Sequence, residues 1–230
     1  MKKIKKKYYR IFESLIKKTL KMQKNSKNEN FKKMIRSAIY NSNYEKDKFI
    51  FSDNKDTKYL MHSSDWISKK LFIDNSFDDK IIKKAVKILK IKKYKRTLIN
   101  IGAHIGSTCI PALKKRYFKS LIAFEPSTKN FNLLAANLYL NNLGKRAKIF
   151  NLALSNKKSQ LFIKKFQNSG DYRVVKSKSK KLEKVDSDIL DKFTMQLNKK
   201  NSLIVIDAQG HEPLIFLGSK TTLKKKIPIV

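Results

Sequence analysis

The residues of this chain whose types and spacing could do chemistry fall into three short stretches. In the first, the apolar run Leu98-Ile99-Asn100-Ile101 leads into Gly102-Ala103-His104-Ile105-Gly106-Ser107. A buried strand that ends in a glycine loop and opens a helix is where doubly wound sheets bind their ligands. Gly102 permits a sharp turn, and Gly106 permits close approach of a ligand to the backbone. The glycines lie four positions apart, which is not the G-x-G-x-x-G spacing that cradles a pyrophosphate. Such a loop offers N–H groups to a smaller anion, such as an amino-acid carboxylate. The second stretch is Phe124-Glu125-Pro126, with Glu125 placed 23 positions after Gly102. A carboxylate at a strand end accepts two hydrogen bonds from a ribose diol. Alone, the glycine loop is a weak signal and Glu125 reads better as an exposed acid before a proline. Their pairing at this spacing points to a nucleoside-bearing ligand. The third stretch, Ile206-Asp207-Ala208-Gln209-Gly210-His211-Glu212-Pro213, collects Asp207, His211 and Glu212 at the end of another apolar run. Three titratable groups at one strand edge suggest a site, although Glu212 before Pro213 also fits a helix N-terminus.

The elements that must position these residues follow from periodicity. Repeated strand–helix units begin at Thr97, with strands expected at 98–101, 121–125, 147–153 and 202–207. Helices are expected at 107–118, 128–141 and 213–217, with Gly144 and Gly218 as stops. Residues 159–164 and 173–176 are β-like and flank the loop Asn168-Ser169-Gly170-Asp171. A helix is expected from Asp186 through Leu197. Ile227–Val230 reads as a strand beginning. Apolar strands alternating with helices give an α/β fold with a parallel, doubly wound, Rossmann-like sheet. Ahead of it, residues 46–96 hold a hairpin (48–52 and 57–61) and a helix capped by Ser76 with an apolar face from Phe77 to Leu89. Residues 1–45 form a basic helical extension, with Ile4, Tyr8, Ile11, Phe12, Leu15 and Ile16 at helical spacing and a break at Asn25–Asn30.

The chain of 230 residues is 41% hydrophobic, which excludes global disorder. Its net charge of +36 points first to nucleic acid or an anionic surface. Only six of the 54 basic residues are Arg, the side chain that forks onto phosphates and bases, and the lysines run through every segment. The charge therefore reads as a solvated lysine-rich surface, with weak anionic-surface contact through the N-terminus and no specific nucleic-acid partner. A single cysteine, Cys109, excludes an intrachain disulfide and fits a reducing, cytoplasmic setting.

The stretches "INIGAHIG", "IAFEPSTKNFNLLAANLYLNNL", "NLALSN", "NSGDYRV" and "VIDAQGHEPLIFLGS" together resemble the FkbM family of methyltransferases over roughly residues 48–230. The resemblance implies that the domain (97–230) uses S-adenosylmethionine as cofactor, held by Asn100, Gly102, His104, Gly106 and Glu125. Asn151 and Ala153 would lie near the adenine, and Asp207, Gly210 and Glu212 on the substrate side. The family usually has Asp at the position of Asn100 and Asn at that of His104. The reaction implied is in-line transfer of a sulfonium methyl to an acceptor hydroxyl, on a glycan or other small molecule, with no metal required. His211 is the first candidate for the base and Asp207 the second; His62 and His104 are read as structural or loop residues. The family continues with further strands past the fifth, so the chain is expected to be a C-terminally truncated copy. Two other readings remain at this level. A nucleic-acid methyltransferase would explain the charge, and a non-catalytic protein keeping the fold would explain Asn100 and His104.

Overall fold

The computed structural model describes residues 26–42, 48–53, 56–75, 77, 79–89, 96–166, 168–175, 182–197, 199 and 202–230, together with 14, 17, 18 and 21. The apolar positions expected to form a helix between Ile4 and Ile16 lie outside these residues, as does the Ser76 cap. The expected break falls at residues 26–28, which are non-helical, while Asn30 already lies in the helix that follows, α1 (Glu29–Ser42). Asn28 Oδ1 accepts the backbone N–H groups of Asn30 and Phe31, satisfying donors that a helix start leaves orphaned.

The expected hairpin forms as β1 (Phe49–Asp53) against β2 (Lys58–His62). Two asparagines four residues apart then act as a strand edge for β2. Asn137 Oδ1 and Nδ2 bond the N–H and C=O of Leu60 at 2.6 and 3.1 Å, and Asn141 does the same for Lys58 at 3.0 and 2.7 Å. Both lie on α5 (Thr128–Leu140) or its cap, so backbone groups that would stay unpaired are satisfied by a helix. Between hairpin and sheet come α2 (Trp66–Asp74) and α3 (Asp79–Ile88).

The central sheet is parallel. β3 (Thr97–Ile101) lies between β10 (Ser202–Ile206) and β4 (Ser120–Phe124), with β5 (Ala147–Phe150) outside β4. Its strands are apolar at nearly every position because both faces are covered. Leu98, Leu121, Ala123, Leu203 and Val205 face one core with Met61, Leu71, Ile82, Leu113 and Leu134, so the hairpin, α2, α3, α4 (Cys109–Lys114) and α5 share a single interior. Ile99, Ile101, Phe124 and Ile204 face the other core, with Leu190, Ile215 and Ile227. There Phe124 stacks on Phe150 at 5.2 Å while Phe193 stands edge-on to both. Ile229 bridges Ile204 in parallel, and Val230 N–H donates to Ile204 O at 2.9 Å.

A second sheet differs from expectation. The run expected as one strand from Ala147 to Ala153 divides: β5 stays in the central sheet, and β6 (Ala153–Leu154) pairs with β9 (Glu183–Asp188). β9 also pairs with β7 (Ser159–Lys164), which carries β8 (Arg173–Val175) on its far edge. The helix expected from Asp186 is thus a strand end followed by a single 3-10 turn, Leu190–Phe193. In Glu183–Asp188 only Val185 and Ser187 turn inward, a two-residue period that its charged neighbours mask. Two short helices, α6 (Glu212–Leu217) and α7 (Lys220–Lys224), close the chain's last crossover.

Candidate functional site

The carboxyl ends of β3, β4 and β10 converge on a cavity of about 380 Å³, in the position where parallel sheets hold ligands. Beyond β3 the chain turns at Gly102, whose φ is +76°; its N–H and that of Ala103 both donate to Phe124 O at 3.0 Å. A Cβ on Gly102 would sit 1.9 Å from the backbone oxygen of Asp207, so this glycine is required by the close approach of two strand ends. Gly106, at φ +91°, is required for a different reason from the one its spacing suggests. Its missing Cβ faces Ile110 Cδ1 at 2.6 Å and Leu134 Cδ1 at 3.0 Å in the core, and Gly106 is not among the residues lining the cavity.

Glu125 is buried at the end of β4. Its Oε2 accepts His104 N–H at 2.8 Å and its Oε1 accepts Ser127 N–H at 3.0 Å. Burial pushes its carboxyl up to about 7, against the opposing pull of those two N–H groups. Asn100 lies on β3 with its Oδ1 buried and without a hydrogen-bond partner among the described residues, and Ser127 Oγ is in the same state. Both line the cavity, together with Ala153. Buried polar atoms are normally satisfied, so an orphaned pair beside Glu125 marks a place for a polar ligand. Asn151 stands outside the lining. Its Nδ2 donates to the carbonyls of Glu125 and Pro126 at 2.9 Å each, which fixes the turn that carries Glu125.

At the end of β10, Asp207 is exposed to the cavity and accepts Gln209 Nε2 at 2.6 Å. His211 is buried, with Nε2 3.1 Å from Ser155 Oγ. Glu212 is the first residue of its helix but does not cap it: the N-cap position is His211, and Glu212 turns back to accept Ala208 N–H at 2.9 Å, ahead of the helix. His62 is buried at the open end of the hairpin, opposite Phe49, with Nδ1 2.8 Å from Ser64 Oγ.

The opposite wall was not foreseen from sequence. Asp65, the N-cap of α2, accepts Ser68 N–H through Oδ2 and both the N–H and Oγ of Ser169 through Oδ1, at 2.9 and 2.8 Å. Ser169 Oγ in turn lies 2.6 Å from His104 Nε2. A chain Asp65–Ser169–His104 therefore ties α2, the 168–171 loop and the glycine loop together. With the Ser169 hydroxyl given to Asp65, His104 is the donor at Nε2, and its Nδ1 is buried without a partner among the described residues. Burial lowers the pKa of this imidazole, with Asp65 pulling the other way. Trp66 and Phe77 complete the wall. The signal available was the motif Asn168-Ser169-Gly170-Asp171 itself; nothing local in it says which helix it meets.

The charge of the lining is the reverse of that of the molecule. Glu125, Asp171 and Asp207 line the cavity, and among the described residues no Lys or Arg does, although the chain has 54 of them. No group of three His, Cys, Asp or Glu that could hold a metal ion occurs among the described residues.

Comparison with known proteins gives the family. No curated protein matches the chain. Similar solved structures include P. horikoshii TYW2 in complex with MeSAdo (19% identity, TM-score 0.34, 49% of this chain and 41% of that one). M. jannaschii TYW2 in complex with AdoMet is 17% identical, with TM-score 0.34, over 46% of this chain and 44% of that one. The METTL16 MTase domain is 14% identical, with TM-score 0.40, over 64% and 47%. The chain spans less than half the length of each of these three. The profile of the "Methyltransferase FkbM domain" matches residues 100–230, from Asn100 at the cavity to Val230 beside β10. Matched over more than half its length, the chain belongs to the methyltransferase FkbM domain family, whose methyl donor is S-adenosylmethionine.

Proposed function

We propose that this chain transfers the methyl group of S-adenosylmethionine to a hydroxyl of an uncharged acceptor, a glycan or other small molecule. The observation that carries this reading is the acidic, aromatic lining of the cavity in a chain of net charge +36. An acidic lining suits a donor that bears a sulfonium and an ammonium cation. It repels a phosphate backbone, which basic side chains would have to hold. The residues fit the donor. Glu125 would accept the ribose hydroxyls, Asn100 Oδ1 and Ser127 Oγ are orphaned polar atoms beside it, and the 102–106 loop would pass the amino-acid end, with His104 as part of that loop. Ala153 would flank the base. Asn151 and Gly106 would act from outside the cavity, by fixing the Glu125 turn and the loop's seat on the core. When bound, the donor supplies the electrophilic methyl group. The chain's own task is to orient the acceptor and take its proton. His211 and Asp207, at the β10 end, would be the groups that take it.

Among the described residues no helix is long and apolar enough to cross a membrane. A cytoplasmic setting fits the single free thiol, buried on Cys109. The basic extension 1–45 would add weak contact with anionic surfaces.

The test is calorimetry with S-adenosylmethionine, followed by transfer of labelled methyl to separated polysaccharide, small-molecule and RNA fractions. Binding, with label in the polysaccharide or small-molecule fraction, is expected. Label confined to RNA would replace the acceptor assignment, and absence of donor binding would overturn the whole reading. His211→Ala and Asp207→Asn should cut turnover far more than donor affinity.

A further inference from the structure

We propose that the wall formed by Trp66, Asn168, Asp171 and Tyr172 is the acceptor subsite, and that it takes the ring of a neutral pyranoside. This rests on the methyltransferase reading and adds to it the location and chemistry of acceptor recognition.

The cavity has two sides of different origin. One side is the sheet end, with Gly102, Glu125, Ala153 and Asp207. The other is built by α2, by Phe77 and Ile81, and by the 168–172 loop. Trp66, Phe77 and Ile81 precede the residues matched by the family profile. Trp66 is the first residue of α2 and remains 54% exposed, with Phe77 edge-on at 6.0 Å and Ile81 45% exposed beside it. An indole left in water at the mouth of a cavity presents a flat, electron-rich face. The C–H face of a pyranose is apolar and slightly positive, and matches it. The Lys70 ammonium lies 5.1 Å from the ring centre; it sits on an exposed, flexible stem, and a stacking ring displaces it.

The polar groups of the same wall accept hydrogen bonds. Asp171 is an exposed carboxylate, and Asn168 Oδ1 is buried without a partner among the described residues while its Nδ2 donates to Asp171 at 3.1 Å. Acceptors beside an aromatic face call for a ligand that offers hydroxyl donors; no Lys or Arg is among the described lining residues, and the Lys70 ammonium lies over the Trp66 ring. The two parts of the wall are also locked to each other. Asp65, next to Trp66, holds Ser169, and Gly170 packs so closely on α2 that a Cβ would lie within 2.4 Å of Ile67 Cδ1. The stacking platform and the hydroxyl-binding loop are therefore preorganised as one unit.

Trp66 is the only tryptophan in the chain, so intrinsic emission reads this subsite directly. The experiment titrates the full chain, saturated with S-adenosylhomocysteine, with the methyl glycosides of glucose, mannose, galactose and rhamnose, and with glucose 6-phosphate. The expected result is a saturable change in emission with at least one neutral glycoside, and binding weaker by about tenfold or more for the phosphorylated sugar. By calorimetry, Trp66→Ala should lose about tenfold in affinity for that glycoside, while its affinity for S-adenosylmethionine stays within about twofold of wild type, as for distant sites. Silence with all four glycosides while S-adenosylmethionine still binds would overturn this proposal alone. So would undiminished glycoside binding by Trp66→Ala. Failure of the wild-type chain to bind S-adenosylmethionine would overturn the methyltransferase reading, and this proposal with it.

Discussion

Glu125 has two occupations. In the free chain its carboxylate holds the N–H groups of His104 and Ser127, and in the proposed reaction it also receives the donor's ribose. Burial raises its pKa to about 7, so near neutral pH a large share of the free protein carries the protonated acid. The ionised form is the better acceptor for ribose hydroxyls. A ligand that prefers the ionised form must gain affinity as pH rises through the free-state pKa and level off above it. Affinity for S-adenosylmethionine is thus expected to fall by about tenfold per pH unit below 7 and to be flat at higher pH. Glu125→Gln should abolish the slope. Burial lowers the pKa of His104, which moves its titration away from neutral pH. Calorimetry at pH 6, 7 and 8 at constant ionic strength measures this; a pH-independent affinity would return Glu125 to a purely structural part. The place of Glu125 was legible in the sequence because a strand end, a glycine loop and a fixed spacing are local facts. Its partners were less so. Asp65 and Ser169 are 104 residues apart, and no periodicity announces that a helix cap and a distant loop are hydrogen-bonded.

At the scale of elements, glycine is where sequence reading and structure part most instructively. Gly102 and Gly106 look alike in the motif, yet the first clears a path for the Asp207 backbone and the second for two core side chains. Gly106→Val is therefore expected to act on folding: overpacking costs roughly 1–3 kcal/mol, to which the strained positive φ adds. It should lower the urea midpoint, and any loss of donor binding would follow from that. Gly170→Ala separates packing from backbone strain. Its added Cβ clashes with the flexible end of Ile67, while Asn168 Nδ2 at 3.5 Å is an ordinary contact, so Ile67→Val should make room, and the double variant should recover stability that each single variant loses. A coupling of about 0.5–3 kcal/mol is the range for contacting residues; strict additivity would mean that the loop does not rest on α2 as described. The elements themselves were legible where the chain has a clear period. The apolar strands β3, β4 and β10 and the helix α5 appear where expected. β9 did not, because Glu183, Lys184, Asp186 and Asp188 leave only two inward side chains to signal a strand. α2 was missed, and α1, though inside the extension expected to be helical, was not delimited, because Asn28 reads as a breaker until its side-chain carbonyl is seen capping the helix.

Across the whole molecule, two fields of opposite sign coexist. The chain carries an excess of 36 positive charges, while the cavity is lined by Glu125, Asp171 and Asp207. The outer field attracts any polyanion, and the inner one selects against it, so binding of RNA and access of RNA to the cavity are separable. RNA should bind at low salt by releasing counterions, and the logarithm of its affinity should fall linearly with the logarithm of salt, with a slope of about −0.7 per phosphate contacted on a single strand. Lysine-dominated contact of this kind is indifferent to sequence. S-adenosylmethionine and glycosides should not displace the RNA, because they enter a different field. Asp207→Asn and Trp66→Ala should leave RNA affinity where it was, since neither residue belongs to the basic surface. Fluorescence anisotropy of a labelled oligoribonucleotide across a salt series, with and without S-adenosylmethionine, measures all of this in one set of titrations. If RNA binding resists high salt, prefers one sequence, and is altered by the donor or by Trp66→Ala, then the cavity reads nucleic acid and the lysine surface is its guide. If the slope is steep and the donor has no effect, the charge is a property of the surface alone, and acceptor choice rests with the wall around Trp66.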